Sequence, residues 1–169
     1  MPTRPSRRSL RPAGAALATL IVASAAFAAC SSSETAPAPP TYAATLSAAN
    51  ERPNPVTSPG TGSATVVKSG TTYTYTVSYS GLTGAPVAAH IHGPANTTVA
   101  AGVLVNFSTA GATSTSGTLT GSFTAADIVP ARGVSGDSLD VLLRTGNAYV
   151  NLHTPTNGGG EIRGQLVTR

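Results

Sequence analysis

The sequence predicts an all-β domain, an antiparallel Greek-key β-sandwich with one or two short connecting helices, and three observations support this. The 169 residues include 18 Gly and 13 Pro, so residues that favour turns are abundant. Short segments rich in Thr, Val, Tyr and Ile recur between these turn residues, as in sandwiches and barrels. In residues 72–79, Tyr or Val alternates strictly with Thr or Ser, and this period of two is that of a strand.

Eight segments have the composition and length of strands. They are Tyr42–Ser47, Gly62–Lys68, Thr72–Tyr79, Val87–His92, Gly102–Phe107, Thr118–Thr124, Tyr149–Thr154 and Glu161–Val167. Ser69-Gly70 predicts a tight hairpin between the second and third strands. One face of the third strand is expected to pack against the core, and the other is expected to be exposed to solvent.

Two short helices are expected to connect the strands. Residues 124–127 resemble a capping box, and Pro130 should end the turn that begins there. Residues 137–145 carry leucines at helical spacing, and Gly146 stands where a left-handed cap residue is expected. The acids of these connections are expected to serve as caps and solvated charges: Asp127, Asp137 and Asp140.

The net charge of +4, from 10 Lys and Arg against six Asp and Glu, belongs to the N-terminus. Four of the cations lie in the first eleven residues, which contain no acid: Arg4, Arg7, Arg8 and Arg11. The other six are spread singly and equal the acids in number. Nucleic-acid recognition needs clustered Lys and Arg, so no nucleic-acid partner is expected.

Residues 1–29 have the organisation of a signal peptide. The uncharged stretch Ala13–Phe27 is too short to span a bilayer, which takes about 20 apolar residues. Phe27-Ala28-Ala29-Cys30 resembles a bacterial lipobox, which predicts that Cys30 is acylated and that the membrane is a partner through the lipid. An ordinary signal peptide with a coincidental Cys is the alternative. Arg7-Arg8 leaves Sec and twin-arginine export both open, and the choice of inner or outer membrane is also open.

Residues 30–41 form a Ser-, Pro- and Ala-rich segment that cannot bury a core. We therefore expect a flexible or extended, disordered linker after Cys30 and a folded domain over residues 42–169. Within this domain no G-x-S-x-G or S-x-x-K motif indicates a nucleophile, and the one Cys is assigned to the lipid.

The three histidines are the strongest indication of chemistry. In the strand 87–92, alternation directs Val87, Ala89 and Ile91 to the core, and it directs His90 and His92 together to the other face. In the strand 149–154, Val150 and Leu152 are expected in the core, and Asn151 and His153 then share the polar face. A hairpin to the next strand would add Glu161 and Arg163 to that surface.

Two interpretations of this cluster remain open. His90, His92 and His153 could bind copper or zinc, which imidazole suits, with redox chemistry as one further option. Glu161 is the candidate acceptor to orient an imidazole. Alternatively, the histidines with Asn151, Glu161 and Arg163 form a polar network that holds the loops together at one end of the sandwich.

Three motifs resemble the signatures of the chordin (CHRD) domain family: Ala89-His90-Ile91-His92-Gly93-Pro94, Tyr149-Val150-Asn151-Leu152-His153-Thr154 and Gly160-Glu161-Ile162-Arg163-Gly164-Gln165-Leu166. The segment Ala48-Ala49-Asn50-Glu51-Arg52-Pro53 resembles its opening. The resemblance implies an immunoglobulin-like β domain of exported proteins, without established catalytic residues. Together with the lipobox-like segment at residues 27–30, it predicts an exported, membrane-anchored lipoprotein that faces the periplasm or cell surface. The domain is expected to act as a non-enzymatic structural or interaction module, with copper or zinc binding as the alternative.

Overall fold

The computed structural model describes residue 1 and residues 37–169. Residues 2–36, with most of the predicted signal peptide, Cys30 and the first part of the linker, lie outside the described residues. Nine strands occur in residues 37–169. They are β1 (Thr41–Ser47), β2 (Thr61–Ser69), β3 (Thr72–Ser80), β4 (Ala88–His92), β5 (Val103–Phe107), β6 (Gly117–Thr124), β7 (Tyr149–His153), β8 (Ile162–Gln165) and β9 (Val167–Thr168).

The all-β prediction is confirmed, and each predicted strand is found with ends within two residues of those expected. The last predicted strand is divided at Leu166 into β8 and β9. Its first half pairs with β7, whereas its second half pairs with β1. Residues 162–168 therefore pair first with β7 and then with β1, and so connect two parts of the sheet.

The described strands form one antiparallel sheet in the order β5-β4-β7-β8-β1-β2-β3-β6, with β9 beside β1. Two four-stranded halves meet at β8 and β1, where Ser47 and Arg163 are the single aligned pair. At the outer edges, Val105 of β5 bridges to Ile128 just beyond β6. The backbone N–H of Ser108 also donates to the Tyr75 hydroxyl at 2.9 Å. The sheet is therefore nearly closed.

Both halves of the sheet contribute to one buried hydrophobic core. The alternation predicted for β3 is confirmed, since Tyr73, Tyr75, Val77 and Tyr79 are buried and the residues between them are exposed. Tyr75 stacks on Phe107 of β5 at 3.8 Å between ring centroids. Val87, which was expected in the core, is 57% exposed because it precedes β4 instead of belonging to it.

In residues 37–169, one α-helix and three 3-10 turns connect the strands: α1 (Gly136–Arg144), Ala48–Asn50, Ala125–Asp127 and Pro130–Arg132. The capping box of Thr124 and Asp127 is present, and Gly146 has a positive φ of 68° after α1. Asp140 is not the free solvated charge expected, because it accepts hydrogen bonds from Lys68 and Tyr73 and so fastens α1 to β2 and β3. None of the helices in the described residues has the length and apolarity to cross a bilayer.

Candidate metal centre

One face of β4, β7 and β8 carries polar side chains that are nevertheless buried. In the ladder His90 is aligned with Asn151, and Asn151 with Arg163. Aligned residues of antiparallel strands project to the same side, so these three form a row across the sheet. The opposite face carries core residues: Ala89, Ile91, Val150, Leu152 and Ile162.

The three histidines of this face converge. One ring nitrogen from each of His90, His92 and His153 lies within 4.8 Å of the other two. Nδ1 of His90 and Nε2 of His153 are 3.1 Å apart. His92 and His153 are buried, whereas His90 is half-buried, so the cluster approaches solvent on the His90 side.

Backbone carbonyls determine which nitrogens of two histidines carry hydrogen. Nδ1 of His92 lies 3.0 Å from the Ala101 oxygen, and Nδ1 of His153 lies 3.0 Å from the Gly158 oxygen. A carbonyl oxygen only accepts hydrogen bonds, so both Nδ1 atoms are donors. The Nε2 atom of each neutral ring therefore keeps its lone pair, as a metal ligand requires.

The remaining nitrogens have few partners within the domain. Nε2 of His92 is buried and has no hydrogen-bond partner in the described residues. Nε2 of His153 is an acceptor, so the His90 Nδ1 opposite it must donate the shared proton. The cluster thus presents two fixed lone pairs and one ring, His90, whose proton can move to its other nitrogen.

The histidines are uncharged at neutral pH. Burial, together with the neighbouring His153, lowers the pKa of His90 to about 4. Burial likewise lowers the pKa of His92 to about 4 and outweighs the carbonyl of Ala101, which favours the charged form. Burial also lowers the pKa of His153. Because only neutral imidazole can ligate, the site is ready to bind without first losing a charge.

Glu161 does not orient a histidine. Its carboxylate is fully buried and accepts four hydrogen bonds, from the Ser58 hydroxyl, the Thr83 backbone and hydroxyl, and the Thr154 hydroxyl, at 2.5 to 2.7 Å. Burial raises the pKa of Glu161, but these donors outweigh burial and lower the pKa to about 2. The carboxylate is ionised and ties three loops to the start of β8, while the orienting role belongs to the two carbonyls.

Glu51 belongs to the site, although the sequence did not identify it. Its side chain is 3% exposed and accepts from Asn151 Nδ2, which is 2.9 Å from both carboxylate oxygens. Burial raises the pKa of Glu51 to about 7, despite the opposing effects of Asn151 and Arg163. The residue lay within the segment that resembles the family's opening, but no local pattern indicated its partner 100 residues away.

Arg163 and Tyr149 complete the wall beside His92. The guanidinium carbon of Arg163 lies 3.5 Å from the centroid of the Tyr149 ring. That ring is nearly parallel to His92, with centroids 4.9 Å apart. Arg163 Nη2 donates to the Asn96 carbonyl at 2.7 Å. The imidazole of His92 is thus held by stacking as well as by its hydrogen bond.

The geometry can bind a metal after a small contraction. Ligand nitrogens at about 2.0–2.1 Å from a tetrahedral zinc are roughly 3.3 Å apart. The His90–His153 pair is already at 3.1 Å, whereas the widest separation, 4.8 Å, must shorten. Nitrogen ligands without a carboxylate in the cluster favour copper or zinc over magnesium or calcium.

Comparison with known proteins identifies the domain. The family model of the CHRD domain matches residues 42–166, which include every residue of the buried polar face described above. No curated protein matches the chain, and no solved structure matches it. The CHRD domain is an extracellular kind of module. The match covers well over half of the chain, and the chain therefore belongs to the CHRD domain family.

Proposed function

We propose that this protein is an exported, lipid-anchored CHRD module that is not an enzyme and that binds one copper or zinc ion at His90, His92 and His153. Its domain faces the periplasm or cell surface. We also propose that the two four-stranded halves of the sheet pack as the layers of a Greek-key, immunoglobulin-like sandwich. Support for that packing comes from the single core shared by both halves.

The observation that carries the metal proposal is the buried, unpartnered Nε2 of His92. A buried polar atom without a partner is unfavourable by about 1–3 kcal/mol. In the competing interpretation, a purely structural polar network, each buried nitrogen should be satisfied by another group of the protein. Asn151 Nδ2 and the Glu161 carboxylate have such partners, whereas His92 Nε2, Asn151 Oδ1 and Arg163 Nη1 have none among the described residues. Of these three atoms, His92 Nε2 is the one that offers a nitrogen lone pair beside two other imidazoles, so the histidine cluster favours a metal ion.

Titration with Cu²⁺ and with Zn²⁺ tests this proposal. The purified chain, treated with a chelator, is expected to bind one equivalent, and the double variant His90→Ala, His92→Ala is expected to bind at least about 100-fold more weakly, because two of three ligands are lost. Competition with a chromophoric chelator measures the affinity. For copper, nitrogen hyperfine structure in the electron paramagnetic resonance spectrum reports the imidazoles.

Asn106→Ala provides the matched control. Asn106 is exposed on β5 and aligned with His90, but it is outside the cluster, so affinity should not change. Circular dichroism of the apo-proteins checks that each variant folds. Equal affinity in the parent chain and the double variant would refute the metal proposal and leave the structural network as the role of the cluster.

The lipid anchor has its own test. Because two or more acyl chains give stable membrane binding where one does not, the chain expressed in bacteria should partition into the detergent phase. Cys30→Ala should move it to the aqueous phase and abolish labelling with radioactive palmitate. Ser31→Ala is the control, and it should leave partitioning unchanged. An aqueous parent chain, or labelling that survives Cys30→Ala, would contradict the anchor.

A further inference from the structure

Arg163 is a buried charge without a carboxylate partner. The residue is 2% exposed, yet the one ion pair found in residues 37–169 joins Lys68 to Asp140. Nη2 of Arg163 contacts the Asn96 carbonyl and the amide oxygen of Gln165. Nη1 has no partner in the described residues and is closed to bulk solvent. A buried charge in this condition is unfavourable unless a counter-charge is near.

Glu51 compensates for this charge incompletely. It is the acid whose charge acts on Arg163, but it lies beyond the 4.0 Å of an ion pair. Its oxygens are occupied by Asn151, and burial raises its pKa to about 7. Near neutral pH a large fraction of Glu51 is therefore protonated and supplies no negative charge.

A small cavity lies against the same arginine. Its volume is about 80 Å³, and its lining contains two arginines and no acid: Asn50, Arg52, Thr97, Arg163 and Gln165. Arg52 is only partly exposed and is also without a carboxylate partner in residues 37–169. Its Nη1 donates to the carbonyls of Ala49 and Glu51. Two guanidinium groups and neutral polar groups thus surround one small space.

We propose that this cavity binds a small, singly charged oxyanion of the carboxylate type, such as acetate or bicarbonate. The planar guanidinium of arginine matches two oxygens of such an anion. The volume restricts the ligand to a few heavy atoms. The lining of the cavity contains no histidine, so the anion site can be occupied whether or not the histidine cluster holds a metal.

Nuclear magnetic resonance titration of the purified chain with sodium acetate and sodium bicarbonate tests the site, with sodium chloride at matched ionic strength as reference. The backbone amide of Thr97 and the side-chain amides of Asn50 and Gln165 should shift and saturate with either oxyanion but not with chloride. Arg52→Gln should weaken binding at least tenfold, because one of two cations is removed. Arg144→Gln, an exposed arginine on α1, is the matched control and should bind as the parent does.

The outcomes are separable from those of the metal experiment. Saturable shifts that persist in the His90→Ala, His92→Ala variant support the anion site whatever the metal result. Shifts that chloride reproduces, or that Arg52→Gln leaves unchanged, would show a general salt effect and overturn the proposal. A titration without saturable shifts would overturn it as well.

Discussion

Replacement of Glu161 by alanine is expected to lower the free energy of unfolding by about 3–5 kcal/mol, since each hydrogen bond to a charged group contributes about 1.5–3 kcal/mol and several are lost together. Four donors from three loops would lose their common acceptor at once: the Ser58 hydroxyl, the Thr83 backbone and hydroxyl, and the Thr154 hydroxyl. Urea denaturation followed by circular dichroism measures the loss.

Asp137→Ala is the control for Glu161→Ala. Asp137 is an exposed acid in the first turn of α1, so its removal should cost about 0.3–1 kcal/mol through the helix dipole alone. Glu161→Gln should fall between the two, because the amide keeps one acceptor but turns a donor toward the surrounding donors. If Glu161→Ala lowered the free energy of unfolding by less than the control does, the carboxylate would not hold the three loops together as its contacts indicate.

The same residue predicts how stability depends on pH. In the folded chain the pKa of Glu161 is about 2, below its ordinary value of 4.5. The unfolded chain therefore takes up the proton first as pH falls, and stability is lost between about pH 4.5 and 2. Urea titrations across this range should show that the free energy of unfolding declines less in Glu161→Gln than in the parent chain, because the amide does not take up a proton at these pH values. An identical slope in both chains would contradict the assignment.

Gly160→Ala is expected to cost about 2–4 kcal/mol, from backbone strain and overpacking together. Gly160 has a φ of +128°, which side-chain-bearing residues rarely adopt. An added Cβ would also lie 2.6 Å from both terminal atoms of the Asn151 amide and 2.8 Å from a Glu51 oxygen. Asn151 Nδ2 and the Glu51 carboxylate are buried and hydrogen-bonded to each other, so they have little freedom to move aside. Urea denaturation measures the loss.

Gly159→Ala is a control one residue away. Its Cβ would meet no atom within 4 Å, and its φ lies outside the strained range. The expected change is within about 0.5 kcal/mol, as for most surface substitutions. Equal stability of the two alanine variants would show that the loop can move at Gly160 to accommodate a side chain. The close approach of Gly160 to Asn151 and Glu51 would then not be needed for stability.

The strands and the meeting of the histidines could be predicted from the sequence. Alternation in β3 needs only neighbouring residues, and a His-x-His pair on any strand points both rings to one side. The place of His153 followed from the core positions of Val150 and Leu152. These inferences depend on short-range periodicity, which local sequence records directly.

The burial of the polar face could not be predicted in the same way. Alternation shows which residues share a face, but it does not show that distant loops cover Asn151, Glu161 and Arg163. The groups that orient His92 and His153 are carbonyls of Ala101 and Gly158, and every residue type has a carbonyl. A carboxylate was expected to orient the imidazoles, because residues in a sequence differ only in their side chains and not in their backbone carbonyls.

The stacked arrangement of His92, Tyr149 and Arg163 has a thermodynamic consequence. The Tyr149 ring packs against the proposed metal ligand His92 and against Arg163 of the proposed anion site, so a shift of this ring on binding at one site would change the affinity of the other. Linkage is reciprocal: if acetate strengthens zinc binding by some factor, zinc strengthens acetate binding by that same factor. The coupling free energy between the two sites can therefore be measured by titration with either ligand, and the two measurements must agree.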